Sequence, residues 1–184
     1  MRRKRFLLAI LLVAHPFASR AEEIRMIGQS VMYSSKSILS NIIDSRTHRT
    51  LIKAMKSVEL EQPLMRQGSF TVFAPEDAAF AALPKTYAAR LFQRVNRDQM
   101  ARVLACHIVA GNQLAGKRLL DLVAEGEQIQ LQTLGECVLT VTRRDGKLIV
   151  QGVNGLSATI TGADIAQSNG MVQIIDQVIA PPIN

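Results

Sequence analysis

Three groups of residues in this 184-residue chain carry side chains that catalysis or ligand binding would need. Glu76 and Asp77 are adjacent carboxylates at the end of an apolar run, Cys106 and His107 pair a thiol with an imidazole, and Asp164 precedes Ile165 in the second half. Two carboxylates do acid–base work when both reach one substrate, whereas neighbours on a helix point about 100° apart. The same divergence separates Cys106 from His107 and argues against a nucleophile–base pair. A metal site needs further ligands, but His48 is the only other histidine after residue 21, and nothing around it has ligand spacing. The chain has no nucleophile elbow, phosphate-binding glycine loop or zinc pattern. The sequence therefore predicts no catalytic residues, no metal and no cofactor.

Each group also has a structural reading. Pro75 suits the first position of a helix, where its missing N–H costs nothing. Two acids in the first turn, Glu76 and Asp77, would favour the positive end of that helix by ~0.3–1 kcal/mol each. His107 completes the spacing i, i+3, i+4, i+7 with Met100, Val103 and Leu104, which predicts an inward-facing core histidine needing hydrogen-bond partners. Asp164 and Ile165 fit a turn. Asn169-Gly170 is a turn pair that tolerates positive φ and reverses the chain ahead of a strand over Met171–Ile175.

The elements that must hold these residues are legible in outline. Residues 22–36 read as a flexible lead-in. "SILSNIIDSRTHRTLIKAMKSV" predicts one or two helices, with Ile38, Ile42 and Ile43 on one face and Leu51, Ile52 and Met55 on another. "SFTVFAPEDAAFAALP" is a strand running into a helix. "PKTYAARLFQRV" places Tyr87, Leu91 and Val95 at i, i+4, i+8. Asn96 opens another helix as an N-cap, with Gln99 three positions on. The second half changes to period two: "CVLTVTRRDGKLIVQG" is a hairpin about Asp145-Gly146. Asn154-Gly155 and Asn169-Gly170 lead into the short strands "SATIT" and "MVQIID", and Pro181-Pro182 ends the last strand. Helices crowd the first half and strands the second, so the fold class is α+β in a single domain, 37–184.

The compartment is read from the start of the chain. Arg2, Arg3, Lys4 and Arg5 precede the apolar run Phe6 to Ala14, and small residues Ser19 and Ala21 follow, which predicts a signal peptide over 1–21 cut after Ala21. The run is too short to cross a bilayer, which needs ~20 residues. The mature chain is thus expected to be secreted or periplasmic, with no transmembrane anchor. The formal charge of +7 owes five of its bases to this segment and none of its acids, so a near-neutral chain remains. That excludes a nucleic-acid partner read from charge, since no basic stripe with interleaved aromatics is left. In an oxidising compartment Cys106 and Cys137 can pair, worth roughly 3–4 kcal/mol in the chain-entropy model; otherwise they are two small buried hydrophobes.

Four ordered blocks resemble the fasciclin domain. "SFTVFAPEDAAFAALP" is similar to the first box of that family through Thr71, Phe73, Ala74, Pro75, Asp77 and Phe80. "LACHIVAG" resembles its histidine-bearing segment at His107, and "TLGECVLTV" its Thr-Leu-Gly approach to a strand. "ADIAQSNGMVQIIDQVIAPP" is similar to its second box through Asn169, Gly170, Ile175 and Asp176. The resemblance covers about residues 37–182. It implies a wedge of short β-sheets packed against a group of helices, a role in adhesion and protein–protein contact, and, for Asp164 and Ile165, contact with a partner as the alternative to a turn. Three positions depart from the pattern. Glu76 stands where relatives often carry threonine, Gln173 where they carry histidine, and Gly126-Glu127 near the place of a Tyr-His adhesion pair. The resemblance implies a non-enzymatic module whose partner is a cell-surface or matrix-like protein or glycan. The alternatives are an envelope small-molecule binder or hydrolase centred on His107, and a purely structural envelope component.

Overall fold

Two strands far apart in the sequence lie side by side at the centre of the molecule. The first is β3 (Phe70–Pro75), within the first box, and the other is β9 (Gly170–Ile175), within the second box. They pair in parallel, with Thr71 opposite Met171 and Phe73 opposite Gln173. The computed structural model describes residues 22–27, 30–65, 68–111, 114, 119–152 and 155–179. The expected signal peptide and the closing Pro181-Pro182 lie outside the described residues.

In chain order, β1 (Ile24–Ile27) and β2 (Ser30–Tyr33) are followed by α1 (Ile38–Asp44), α2 (Arg49–Ser57) and α3 (Glu61–Met65). After β3 come α4 (Asp77–Ala81), α5 (Lys85–Leu91), a 3-10 turn over Arg94–Asn96, and α6 (Arg97–Ala105). β4 (Ile108–Ala110) and α7 (Leu119–Leu122) lead to β5 (Gln128–Gln132), β6 (Val138–Arg144), β7 (Lys147–Gln151), β8 (Ser157–Gln167) and then β9. The main sheet has seven strands in the order β4-β3-β9-β8-β7-β6-β5, and β3–β9 is its one parallel pair among the described residues.

Both central strands are buried on both faces, which is why they read as nearly unbroken apolar runs. On one side Val72, Ala74, Val172 and Ile174 pack with Ile38, Leu51, Met55, Leu91, Met100 and Leu104 from the helices. On the other, Phe73 and Ile175 pack with Leu131, Leu139, Val141, Val150 and Ile160 from the hairpins. β8 serves both halves, because irregularities between Ile160 and Ile165 bend it from β7 onto β9.

Several expectations are corrected. The lead-in is a hairpin: β1 and β2 pair antiparallel from Ile24–Tyr33 to Ile27–Ser30, and Met32 is buried in the helical core. Its fold is fixed by Asn41 of α1, whose Oδ1 accepts from the Tyr33 N–H and whose Nδ2 donates to the Tyr33 carbonyl, both at 2.9 Å. Pro75 is the last residue of β3 and not the first of a helix, since pairing with β9 extends to Pro75–Ile175. Ile43 is exposed, because Leu39 takes the inward position beside Ile38 and Ile42. Val95 is 83% exposed: α5 ends at Leu91, and the 3-10 turn breaks the phase that would have carried Val95 inward. Asn96 does occupy the N-cap position of α6, but its side chain donates to the Arg90 carbonyl, so the capping box with Gln99 does not form. Asp164 lies inside the irregular stretch of β8, at φ +54°, and not in a turn.

Gly170 starts the central pairing. Its φ is +150°, and a Cβ there would sit 2.0 Å from the Phe70 carbonyl oxygen, so no other residue fits beside β3. Gly170→Ala is expected to cost more than about 3 kcal/mol or to abolish folding, whereas Ser168→Ala on the same turn should stay within about 0.5 kcal/mol. Urea denaturation of the two variants distinguishes them.

Candidate functional site

The polar residues singled out by type are mostly buried, and each ties one element to another. His107 follows the end of α6 and is fully enclosed. Its Nδ1 donates to the Val103 carbonyl (2.7 Å), so Nε2 is the acceptor and takes the Ile179 N–H at 3.0 Å. Its own carbonyl accepts from the Phe73 N–H. Desolvation pushes the imidazole pKa down to about 4, against the smaller opposing pull of the Val103 carbonyl. With both nitrogens engaged and no opening beside it, the ring has no face for a substrate.

Asp77 has a partner the sequence did not indicate. Its Oδ1 accepts the Thr50 N–H at 2.7 Å, capping α2, while its own N–H donates to the Thr47 carbonyl. The charge thus serves the start of a neighbouring nine-residue helix as well as its own short one. Partial burial raises its pKa, but bonds from Thr50 and the Arg49 amide, with His48 nearby, outweigh that and hold the carboxyl below its ordinary range. Glu76 occupies the N-cap position of α4 without making a side-chain cap bond, so the capping bond that a threonine hydroxyl makes at such a position is not replaced.

Asp164 and Ile165 are 3% and 2% exposed. The Asp164 carboxylate accepts from the Leu119 and Leu120 N–H groups at 2.8 and 3.2 Å, at the start of α7. Gln173 clamps it from β9: the Asp164 N–H donates to Gln173 Oε1, and Gln173 Nε2 donates to Asp164 Oδ1, both at 2.9 Å. A direct contact role does not fit this burial. Asn169, also buried, accepts the Ile38 N–H and donates to the Leu64 carbonyl, joining α1 to α3 at the turn before β9. Asp176 accepts the Thr159 N–H at 2.7 Å and so fixes β8 to the end of β9. Thr71, Phe73, Ala74, Phe80 and Ile175 are core residues.

Cys106 and Cys137 form a disulfide with Cα atoms 5.3 Å apart. The loop carrying Thr133, Leu134 and Gly135 lies against the end of α6, where the Gly135 N–H donates to the Ala105 carbonyl. A Cβ on Gly135 would come within 2.7 Å of the Cys106 nitrogen, so this glycine permits the close approach that the disulfide locks.

Two groupings were not anticipated. Ser30, Ser45, Thr47 and His48 converge, with Ser45 Oγ 2.7 Å and Thr47 Oγ1 3.1 Å from His48 Nδ1, and Ser30 Oγ 2.9 Å from Ser45 Oγ. A hydroxyl–imidazole contact of this kind is the geometry of an activated nucleophile. Here Ser30, Ser45 and His48 are all buried, and the Ser30 hydroxyl also accepts the Arg46 N–H, so the cluster fastens β2 to the α1–α2 connection. Desolvation lowers the His48 pKa to about 4, although the Asp77 charge and the Ala74 carbonyl oppose it. His48 Nε2 makes no well-formed hydrogen bond. The sequence signal was Ser45-Arg46-Thr47-His48, hydroxyls within three positions of an imidazole.

The second grouping is open to solvent. A cavity of about 500 Å³ lies between α2 and the α5–α6 connection, lined by Thr50, Lys53, Ala54, Ser57, Leu91, Phe92, Gln93, Arg94, Arg97 and Met100. Its one sequence signal is the row Arg49, Lys53, Lys56 along α2, bases on one face with no acid between them. Among the described residues, no three His, Cys, Asp or Glu side chains are placed to hold a metal ion, and no helix is long and apolar enough to cross a membrane.

Two predictions concern these fasteners. Both histidines hold pKa values near 4 in the fold against about 6.5 unfolded, so below pH 6.5 the unfolded chain binds more protons. Their contribution is complete above about pH 6.5, is lost as pH falls towards 4, and then levels off, by at most about 3 kcal/mol each. His107→Ala is expected to lower Tm at pH 7.5 and to reduce the slope of Tm between pH 6.5 and 5, measured by calorimetry. Replacing both Cys106 and Cys137 by alanine should cost roughly 3 kcal/mol and lower Tm by about 10 °C, with no further drop on adding reductant.

Comparison with known proteins places these features in a family context. The Fasciclin domain family profile matches residues 46–181. Protein sll1483 of Synechocystis sp. is 35% identical over 178 residues, covering 97% of this chain and 92% of that protein. Transforming growth factor-beta-induced protein ig-h3 of Sus scrofa is 31% identical over 134 residues, 73% of this chain and 18% of its own length. Immunogenic protein MPB70 of Mycobacterium bovis is 30% identical over 122 residues, 64% of this chain and 53% of its own. Among solved structures, a FAS1 domain pair from the insect cell adhesion molecule Fasciclin I superposes with a TM-score of 0.69 at 16% identity, covering 87% of this chain and 67% of that one.

Proposed function

This chain belongs to the fasciclin domain family, and from that premise we propose that it is a non-enzymatic binding module working outside the cytoplasm. It acts in cell-surface adhesion or host contact through protein–protein or protein–glycan interaction. The observation that carries this reading is the fasciclin match over residues 46–181, together with a fold shared with a FAS1 domain pair from an insect cell adhesion molecule. Two further features support it. The side chains with catalytic potential, His107, Asp164 and the Ser45–His48 pair, are enclosed and bonded within the fold. The basic and apolar start of the chain suits export, as does a cysteine pair that benefits from an oxidising compartment. Recognition then falls to the exposed surface, and neither cofactor nor metal is required.

Cross-linking in living producer cells, followed by identification of the captured material, tests the reading. The expected result is a defined envelope or cell-surface protein or glycan, found again when the purified protein is used as bait. Retention of no partner from the producer's envelope or from host-surface material overturns it.

A further inference from the structure

The cavity between α2 and the α5–α6 connection has two unlike parts. Its floor is apolar and belongs to the core: Ala54, Leu91 and Met100 are 2%, 1% and 3% exposed. Its rim is cationic, formed by Lys53 from α2, Arg94 from the 3-10 turn and Arg97 from the start of α6, all exposed, together with the Thr50 and Ser57 side chains. No carboxylate is among the lining residues. Arg97 pairs with Glu59 at 2.8 Å, but both partners are more than half exposed, and an exposed pair of this kind exchanges readily for another anion. Phe92, 47% exposed and edge-on to Phe80, extends the apolar surface to the mouth.

We propose that this cavity binds a single-chain amphiphile with a carboxylate head, a medium-chain fatty acid in chemical class. The alkyl chain packs against the exposed ring of Phe92 and over the buried floor of Ala54, Leu91 and Met100, while the carboxylate meets Lys53, Arg94 and Arg97 at the rim. The volume of about 500 Å³ is within the usual range for small-molecule pockets. Charge complementarity selects the head: guanidinium groups match a carboxylate through paired N–H donors, and three cations with no lining acid would repel a cationic head. The exposed Phe92 ring above that floor selects the tail, since a small inorganic anion would leave the ring wet and gain nothing from it. The site stands apart from the adhesion reading, and either can fail without the other.

Calorimetric titration of the purified protein with decanoate, 1-decanol and decyltrimethylammonium tests the proposal, with two-dimensional NMR locating the site. Expected are saturable one-to-one binding of decanoate, at least tenfold weaker binding of decanol and no saturable binding of the cation. Shifts should centre on Ala54, Leu91 and Met100. The double variant Lys53→Gln, Arg94→Gln changes two exposed side chains, and an unchanged Tm confirms its fold. It should weaken decanoate about tenfold and leave decanol unaltered. Equal affinity for all three probes, no binding of decanoate, shifts centred elsewhere, or decanoate binding unchanged in the double variant would overturn it.

Discussion

The parallel pairing of β3 with β9 is the constraint on which the rest of the structure depends. It joins the third strand to the last, so the whole intervening chain must form a closed loop around it. Because β3 and β9 carry core side chains on both faces, they divide the interior into a helical half and a hairpin half. Backbone groups at both ends of the pairing are satisfied locally: the Phe70 N–H meets the Asn169 carbonyl at one end, and the Glu76 N–H meets the Ile175 carbonyl at the other. The two most recognisable blocks of the sequence are thus two sides of one contact.

Around that contact, buried polar side chains act as fasteners between element ends. Asn169 serves α1 and α3, Asp77 serves α2, Asp164 serves α7, and His107 receives the segment after β9. The common logic is that helix ends leave unpaired N–H and C=O groups, which are costly to bury without partners. Polar side chains at fixed places therefore do two things at once: they satisfy those groups and they specify which elements meet. This explains why residue types associated with catalysis are found here bonded to backbone groups in the interior.

What was legible in the sequence was local. The strand-to-helix join around Pro75, the hairpin at Asp145-Gly146, the start of α6 and the inward position of His107 all rest on periodicity or turn chemistry within a few residues. What was not legible depends on contacts across the chain. The β1–β2 hairpin has too few residues to announce itself, and it is held by Asn41 and by packing of Met32. Pro75 fits the first turn of a helix by its φ, and only the β9 neighbour draws it into the strand. Asp77 looked like a cap for its own helix, because the backbone it caps belongs to α2. The cationic cavity was hidden for the same reason: Lys53 and Arg94 come from separate elements, and the basic row of α2 does not by itself indicate what lies across from it. The fasciclin resemblance identified the fold correctly while saying nothing of this chain's own surface.

The two halves differ in how firmly they are tied, and that difference bears on where recognition can occur. The end of α6 is bound to the hairpin half by the disulfide, by the Gly135 contact and through His107. By contrast, α5 buries only Leu91 of its seven residues, and the turn that follows buries none. Segments with few buried contacts open at low free energy, whereas cross-linked and interdigitated ones follow the global stability. The α5–α6 connection can therefore adjust to a ligand or partner without disturbing the β3–β9 pairing. A fold that confines its polar fasteners to the interior keeps this outer segment free to vary in sequence, and in this chain it carries bases and exposed apolar side chains: Phe92, Arg94, Val95 and Arg97.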